Sequence, residues 1–167
     1  MRIGSRAISW GLVIGLAVAG LAPALAGLVN KKPPYYGSIS AKKARMRTGP
    51  GRTYPASWQF QRADLPVKVL DIYDHGAWYK VEDPSGTQGW MAGNMVSETR
   101  TGLVMGAIAD LRDSPRFEGK VLWRAAPGVV GKLSKCVRGW CYIDVHGRGG
   151  YVETNHLWGV DPQETLN

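Results

Sequence analysis

The stretch Arg47-Thr48-Gly49-Pro50-Gly51-Arg52-Thr53-Tyr54-Pro55 decides how the rest of the chain is read. Its glycines permit backbone angles that other residues avoid, and its prolines fix φ and lack a backbone N–H donor. Such a segment cannot lie inside a helix or a central strand, so it predicts a structured turn between strands. A weaker copy, Arg112-Asp113-Ser114-Pro115-Arg116-Phe117, follows later. This repetition indicates that the chain contains two related β units.

Short segments in which apolar and polar residues alternate flank the first turn. Ala44 and Met46 alternate with basic residues, and we expect Trp58 and Phe60 to point inward from the next strand. Further strands are predicted at 67–73, 78–82 and 89–91, with turn residues between them. Short strands with turn signals at intervals of roughly ten residues predict a small antiparallel barrel.

The second half of the chain repeats this order. Residues 109–112 correspond to 44–47, residues 140–143 to 78–81, and residues 150–152 to 89–91. Between the two copies, the segment 97–106 contains apolar residues and lacks the composition of a random-coil Gly/Ser linker, so we expect a short, partly ordered connector.

Residues 1–26 have the pattern of a secretory signal peptide. Basic Arg2 and Arg6 precede an apolar run from Trp10 to Leu21, and Ala24-Leu25-Ala26 supplies small residues at a cleavage site after Ala26. The apolar run is shorter than the roughly 20 residues that a membrane-spanning helix needs. We therefore expect a periplasmic or secreted protein with no stable membrane span after cleavage; an uncleaved anchor is the alternative.

The formal net charge of +8 is unevenly distributed. No Asp or Glu occurs between the cleavage site and Asp64, whereas that segment holds Lys31, Lys32, Lys42, Lys43, Arg45, Arg47, Arg52 and Arg62. Such a basic patch attracts anionic surfaces, acidic polymers or wall carboxylates, although it is also compatible with a solvated face that has no dedicated partner. The expected export argues against nucleic acid as the partner.

The chain has two cysteines, Cys136 and Cys141, separated by Val137-Arg138-Gly139-Trp140. Oxidising compartments favour disulfides, and a hairpin turn between the cysteines would bring their Cα atoms to a bridging distance. The residues thus predict a disulfide between Cys136 and Cys141. A catalytic cysteine would need a neighbouring base and an open pocket, which no motif supplies.

Taken together, these motifs resemble the bacterial SH3-like domain family. The resemblance rests on the opening turn, on Gly76-Ala77-Trp78-Tyr79-Lys80-Val81 and on Gly86-Thr87-Gln88-Gly89-Trp90-Met91. The tandem form with Gly139-Trp140-Cys141 and Leu157-Trp158-Gly159-Val160 is similar to exported two-unit proteins of Gram-negative bacteria. The resemblance covers about residues 42–160. It implies binding domains that hold peptides or peptidoglycan stems, and the second turn departs from it because Ser114 replaces Gly and no Tyr-Pro follows.

The sequence and the resemblance together predict an all-β protein of two small SH3-like antiparallel β-barrels in tandem, preceded by a helical signal peptide. The expected divisions are a signal peptide at 1–26, a lead-in at 27–39, barrel 1 at 40–97, a connector at 98–106, barrel 2 at 107–160 and a tail at 161–167.

The hypothesis for the site is a shallow aromatic groove with a basic rim beside the first turn. The candidate residues are Arg47, Arg52, Tyr54, Trp58, Trp78 and Trp90. Aromatic side chains hold extended peptides or sugars by stacking, and arginines pair with carboxylates. The alternative is that the aromatic residues only fill the core.

Catalytic and metal-site motifs are missing from the sequence. The three histidines lack the short-range pairing of metal ligands, and the glycine-rich segment 147–150 lacks the residues of a phosphate loop. We expect a non-enzymatic protein without a cofactor that binds a peptide, a peptidoglycan fragment or an envelope protein. Alternatives are a structural partner that docks through strand edges or the basic patch, and an activator or cryptic hydrolase.

Overall fold

A computed structural model describes residues 31–167, and the expected signal peptide at 1–26 lies outside them. The first sheet contains strands β1 (Tyr35–Ile39), β2 (Ala44–Arg47), β3 (Ala56–Phe60), β4 (Pro66–Tyr73), β5 (Trp78–Glu82), β6 (Gln88–Ala92) and β7 (Val96–Ser97). The second contains β8 (Thr101–Val104), β9 (Ala109–Arg112), β10 (Val121–Ala125), β11 (Val130–Val137), β12 (Trp140–Val145), β13 (Arg148–Glu153) and β14 (Leu157–Trp158). Short 3₁₀ turns span Asp74–Gly76, Gly93–Met95 and Thr154–His156.

The two sheets have the same topology. The strand order is β3-β2-β6-β5-β4-β1-β7 in the first and β10-β9-β13-β12-β11-β8-β14 in the second. Each strand of the first sheet therefore has its counterpart seven strands later in the chain. Every pairing between these strands is antiparallel. The prediction of an all-β chain made of two related antiparallel units is confirmed.

Each sheet curls around its own hydrophobic core. One cluster of buried residues draws side chains from all seven strands of the first sheet, including Ile39, Met46, Phe60, Tyr79 and Val96. A second cluster does the same for β8 to β14. Residues 31–167 contain no helical layer that could cover the apolar face of a flat sheet. A single buried cluster shared by seven strands therefore means that each sheet curls into a half-open barrel.

The opening stretch forms the predicted turn between β2 and β3. The Thr48 N–H donates to the Pro55 carbonyl at 3.1 Å, and the Tyr54 N–H donates to the Gly51 carbonyl at 3.3 Å. The Tyr54 ring lies so close to Gly49 that a Cβ atom there would overlap ring carbons. Glycine at position 49 therefore makes room for the tyrosine.

Two strands lie in segments that were expected to be outside the barrels. Strand β1 falls in the expected lead-in and pairs with β4 and β7, and β8 falls in the expected connector and pairs with β11 and β14. Both strands bury apolar side chains, as with Ile39 and Val104. Units of this size bury marginal cores, so each gains by adding a strand from the flanking segment.

The expectation that Trp58 points inward is wrong, whereas Phe60 is buried as expected. Trp58 is 58% exposed and Phe60 is 6% exposed. Strand β3 is an edge strand whose only partner in the described part of the chain is β2. No neighbouring strand covers the side chain of Trp58, so alternation alone does not bury it.

The predicted disulfide joins Cys136 to Cys141 and is confirmed. The cysteines are directly opposite each other on β11 and β12, and the turn residues Arg138 and Gly139 both have positive φ, as a tight hairpin requires. The equivalent pair in the first sheet is Ile72 and Tyr79. The disulfide thus occupies the place that the large buried Tyr79 ring fills in the first core.

The two units contact each other through aromatic and backbone groups. Tyr36 of β1 packs edge-to-face against Trp158 of β14, with ring centroids 5.4 Å apart. Gly159 lies against Pro66, so closely that a Cβ atom at Gly159 would clash with it. Arg62 donates a hydrogen bond of 2.8 Å to the Gly128 carbonyl in the other unit.

Candidate functional site

Strand β2 carries a row of basic side chains on its outer face. Ala44 and Met46 are buried, whereas Arg45 between them is exposed and Arg47 is half-buried. Since successive side chains of a strand point to opposite faces, the alternation that places the two apolar residues in the core also places the arginines outside it. The outer face of β2 therefore forms one wall of a groove.

The groove is an open concavity of about 370 Å³ in the first unit. Its charged and aromatic lining comes from β2 and the segment before it, from the first turn and from the start of β5. The lining includes Lys43, Arg45, Arg47, Arg52 and Trp78, together with polar Gln59 and Asn94. Trp78 is half-buried and presents part of its surface to the groove. An aromatic side chain and four cationic residues thus surround one cavity.

Two arginines of the groove are positioned by hydrogen bonds. Arg47 Nη1 donates to the Tyr54 carbonyl at 2.6 Å, which ties the end of β2 to the first turn. Arg45 Nε donates to Gln59 Oε1 at 3.3 Å across β2 and β3. Within the described residues, no carboxylate forms an ion pair with any of the four cations of the groove. Their charge is available to a ligand.

The structure brings three of the six predicted site residues together: Arg47, Arg52 and Trp78. Tyr54 is 46% exposed and packs against Gly49 and Gly51 at the turn, outside the groove lining.

Trp58 lies on the exposed edge strand, and Trp90 packs edge-to-face with Tyr73 at 6.2 Å between centroids. Neither tryptophan belongs to the groove lining, so their proposed part in binding stays a prediction.

Sequence reasoning did not assign Lys43, Arg45, Gln59 and Asn94 to the groove. Lys43 and Arg45 were recognised as part of a basic patch, and their alternation with Ala44 was the available signal that they share the outer face with Arg47. Gln59 and Asn94 had no such signal. Gln59 reaches the groove because β3 pairs with β2 in a register that places it opposite Arg45.

The second unit has a smaller cavity at the equivalent position. It measures about 150 Å³ and is lined by Ile108, Asp110, Arg112, Trp140, Glu153 and His156. The strand registers establish the equivalence. In the first sheet, Arg45 is opposite Gln59 and Trp78 is opposite Ala92. The corresponding pairs in the second sheet are Asp110 opposite Arg124 and Trp140 opposite Glu153. The duplicated fold therefore carries two versions of one groove.

Neither cavity resembles a metal site. Across residues 31–167, no group of three or more His, Cys, Asp or Glu side chains is arranged to hold a metal ion. In the same range, no helix has both the length and the hydropathy to cross a membrane.

Two solved structures are similar to this chain at low identity. NlpC2 from Trichomonas vaginalis is 14% identical with a TM-score of 0.34, and the match covers 79% of this chain and 52% of that one. NlpC1 from the same organism is also 14% identical with a TM-score of 0.34, covering 81% and 51%. The chain thus spans about half the length of each structure. No curated protein matches it.

A family model assigns both halves of the chain. The model described as bacterial SH3 domain matches residues 40–98 and again residues 106–159. Together the two matches cover more than half of the sequence, and each falls on one of the two curled sheets without its first strand, β1 or β8. The chain belongs to the bacterial SH3 domain family, of which it contains two copies in tandem.

Proposed function

We propose that the groove of the first unit binds an extended acidic peptide or peptidoglycan component of the cell envelope, and that the protein does so without catalysis. The proposal is supported by the combination of Trp78 with four cations around one open cavity, none of which has a carboxylate partner within residues 31–167. Cationic side chains form strong hydrogen bonds to carboxylates, and an aromatic face adds stacking and apolar contact.

The dimensions and position of the groove also suit an extended ligand. It runs alongside the turn 48–55 and is open to solvent, unlike an enclosed small-molecule cavity. Peptide stems of cell walls carry free carboxylates along a short extended backbone. The complementary charges would fix the orientation of such a ligand, and the tryptophan would add affinity that resists salt.

The proposal places the protein in the periplasm or outside the cell. This rests on the basic and apolar pattern of residues 1–26. Protein recovered from the periplasm is expected to begin at Gly27, as mass spectrometry of the intact chain would show. Retention of the protein in the cytoplasm would contradict the proposed location.

A second candidate is docking on an envelope protein or anionic surface through the basic patch. It is favoured by exposed Lys31, Lys42 and Arg62, which lie outside the groove lining. Attraction of this kind depends on charge number more than on position, and it weakens as salt is added.

Co-sedimentation with purified peptidoglycan at low and high salt tests the two candidates. We expect the double variant Arg45→Ala/Arg52→Ala to lose at least about tenfold in affinity, because each lost charged hydrogen bond weakens binding by about 1.5–3 kcal/mol. The control Lys120→Ala/Lys135→Ala removes the same charge from exposed positions of the second unit and should retain binding.

Trp78→Ala separates groove binding from mere charge attraction, since it leaves the net charge unchanged. Groove binding predicts a loss of affinity that persists at high salt, with the fold verified by circular dichroism. Equal losses in the two charge variants, or unchanged binding by folded Trp78→Ala protein, would rule out the groove and favour the basic patch.

A further inference from the structure

The turns beside the two grooves have the same backbone structure despite their different sequences. The Asp113 N–H donates to the Lys120 carbonyl at 3.0 Å, and the Gly119 N–H donates to the Arg116 carbonyl at 3.2 Å, as Thr48 and Tyr54 do in the first turn. Arg112 Nη1 donates to the Gly119 carbonyl at 2.8 Å, which reproduces the bond from Arg47 to the Tyr54 carbonyl. Positions in the two turns can therefore be matched one to one.

The matched position five residues after Arg47 and Arg112 differs in its chemistry. It is Arg52 in the first turn and Phe117 in the second. Arg52 lines the open groove, whereas the Phe117 ring packs edge-to-face on Trp140 with centroids 5.3 Å apart. Trp140 is 7% exposed, while the equivalent Trp78 is only half-buried. Phe117, itself 68% exposed, thus lies over Trp140, which is part of the lining of the second groove.

The charges of the second cavity are also altered. Asp110 stands in the place of Arg45 and forms ion pairs with Arg112 at 3.0 Å and with Arg124 at 3.1 Å. Glu153 adds a second carboxylate to the lining. The arginine that the two grooves share is therefore neutralised in the second, and an acidic ligand would meet like charges there.

We propose that Phe117 is a built-in plug of the second groove, and that the residues at positions 52/117 and 45/110 decide which groove accepts an acidic ligand. This inference rests on the proposed function of the first groove. Its consequence is a specific stoichiometry: each chain binds one acidic ligand although it carries two copies of the domain. The difference in cavity volume, about 150 Å³ against 370 Å³, agrees with it.

A reciprocal exchange of residues tests the inference. The probe is a fluorescently labelled pentapeptide with two glutamates, and its glutamine counterpart serves as the uncharged control. Wild-type protein should bind one probe. Arg45→Asp/Arg52→Phe should lose that site with at least a tenfold weaker affinity. Phe117→Arg/Asp110→Arg should bind a second probe.

A measurement without ligand keeps the plug testable by itself. Incorporation of fluorinated tryptophan gives a ¹⁹F resonance for Trp140, assigned by Trp140→Phe. In Phe117→Ser its chemical shift should change and its broadening by a soluble paramagnetic agent should increase, while the Trp78 resonance stays unchanged. An unaltered Trp140 resonance in folded Phe117→Ser protein would overturn the plug.

The outcomes also distinguish this inference from the proposed function. If wild-type protein binds no acidic probe, the proposed function fails, while the Trp140 measurement still decides whether Phe117 covers it. If wild-type protein binds two probes, or if folded Phe117→Arg/Asp110→Arg protein gains no second site, the inference fails and the first groove keeps its function.

Discussion

At the scale of single residues, Gly49 and Gly51 both lie near the Tyr54 ring of the first turn, and Gly49 is the closer of the two. A Cβ atom at Gly49 would overlap the ring, whereas one at Gly51 would lie 3.2 Å from the nearest ring carbon. We predict that Gly49→Ala destabilises the protein by about 2 kcal/mol, because the ring must move away from the turn. Urea unfolding measures the effect.

The matched variant Gly51→Ala needs a much smaller adjustment and should lower the free energy of unfolding by less than about 1 kcal/mol. Equal losses for the two alanine variants would show that the close contact between Gly49 and Tyr54 does not stabilise the turn.

Tyr35 titrates differently from an exposed tyrosine. Burial, followed by the nearby Tyr79 and Glu98, raises the pKa of Tyr35 from 10.0 to about 12. Between these values the unfolded chain releases the phenol proton and the folded chain does not, so the free energy of unfolding falls as pH rises from about 10 to about 12. Below pH 10 the contribution is fully retained.

Urea midpoints measured from pH 8 upward test this titration. Tyr35→Phe should show a smaller alkaline loss of stability than the wild type, and Tyr54→Phe controls for removal of a hydroxyl from an exposed ring. Parallel curves for wild type and Tyr35→Phe would contradict the raised pKa.

At the scale of elements, hydrogen bonds and an ion pair join the connector, 98–106, to the C-terminal residues of the chain. Arg100 pairs with Glu164 through Nη1 and Nη2, and the Nη2 bond to Glu164 Oε2 is 2.8 Å long. Arg100 Nη2 also donates to the Gly159 carbonyl at 2.8 Å. Beyond this pair, Leu166 exchanges two backbone hydrogen bonds of 3.1 Å with Cys136. The tail expected at 161–167 thus adds a short bridge to the second sheet.

The Arg100–Glu164 pair predicts a loss of stability in acid. Burial alone would raise the pKa of Glu164, but the hydrogen bonds from Arg100 and the Asp161 N–H, with the Arg100 charge, hold it below its ordinary value of 4.5. The stabilisation is therefore complete above pH 4.5 and is lost as pH falls through the lower folded pKa.

Glu164→Gln should cost about 2 kcal/mol at neutral pH and should flatten the acid limb of the stability curve. Glu118→Gln, at an exposed position without an ion pair in the described chain, is the control. If Glu164→Gln and Glu118→Gln give the same curve, the pair does not stabilise the fold.

Strand alternation predicted most of the elements because it reflects burial directly. Alternation identified β2 from Ala44 and Met46, whereas turn residues identified the hairpin of Cys136 and Cys141. Alternation failed for Trp58, because β3 is an edge strand and no further strand covers this side chain, although Phe60 on the same strand is buried. The pairing of β1 and β8 with distant strands depends on long-range register, which local patterns do not encode.

The site was predictable only in part for a related reason. Arg47, Arg52 and Trp78 belong to motifs that mark the turn and the start of β5, so the sequence pointed to them. The contribution of Gln59 arises from pairing across the sheet, and the covering of Trp140 by Phe117 arises from the shape of a folded turn. Neither contact is local in sequence.

At the scale of the whole molecule, the chain is a duplication whose halves share a fold and differ in their grooves. The halves are held together by the contacts of Tyr36 with Trp158 and of Gly159 with Pro66. Arg100 joins this junction, because its guanidinium lies 5.6 Å from the Tyr36 ring centroid while it binds Glu164. Under the proposed function, the ligand therefore binds to a docked pair of units.

Titration of isotopically labelled protein with a peptidoglycan stem peptide, followed by amide chemical shifts, tests whether the ligand binds in the first groove alone. We expect shifts concentrated at residues 43–47, Arg52, Trp78 and 92–95, with the equivalent residues 108–112 and Trp140 unchanged. Matching shifts in both units, or shifts that follow the exposed lysines and vanish with added salt, would contradict it.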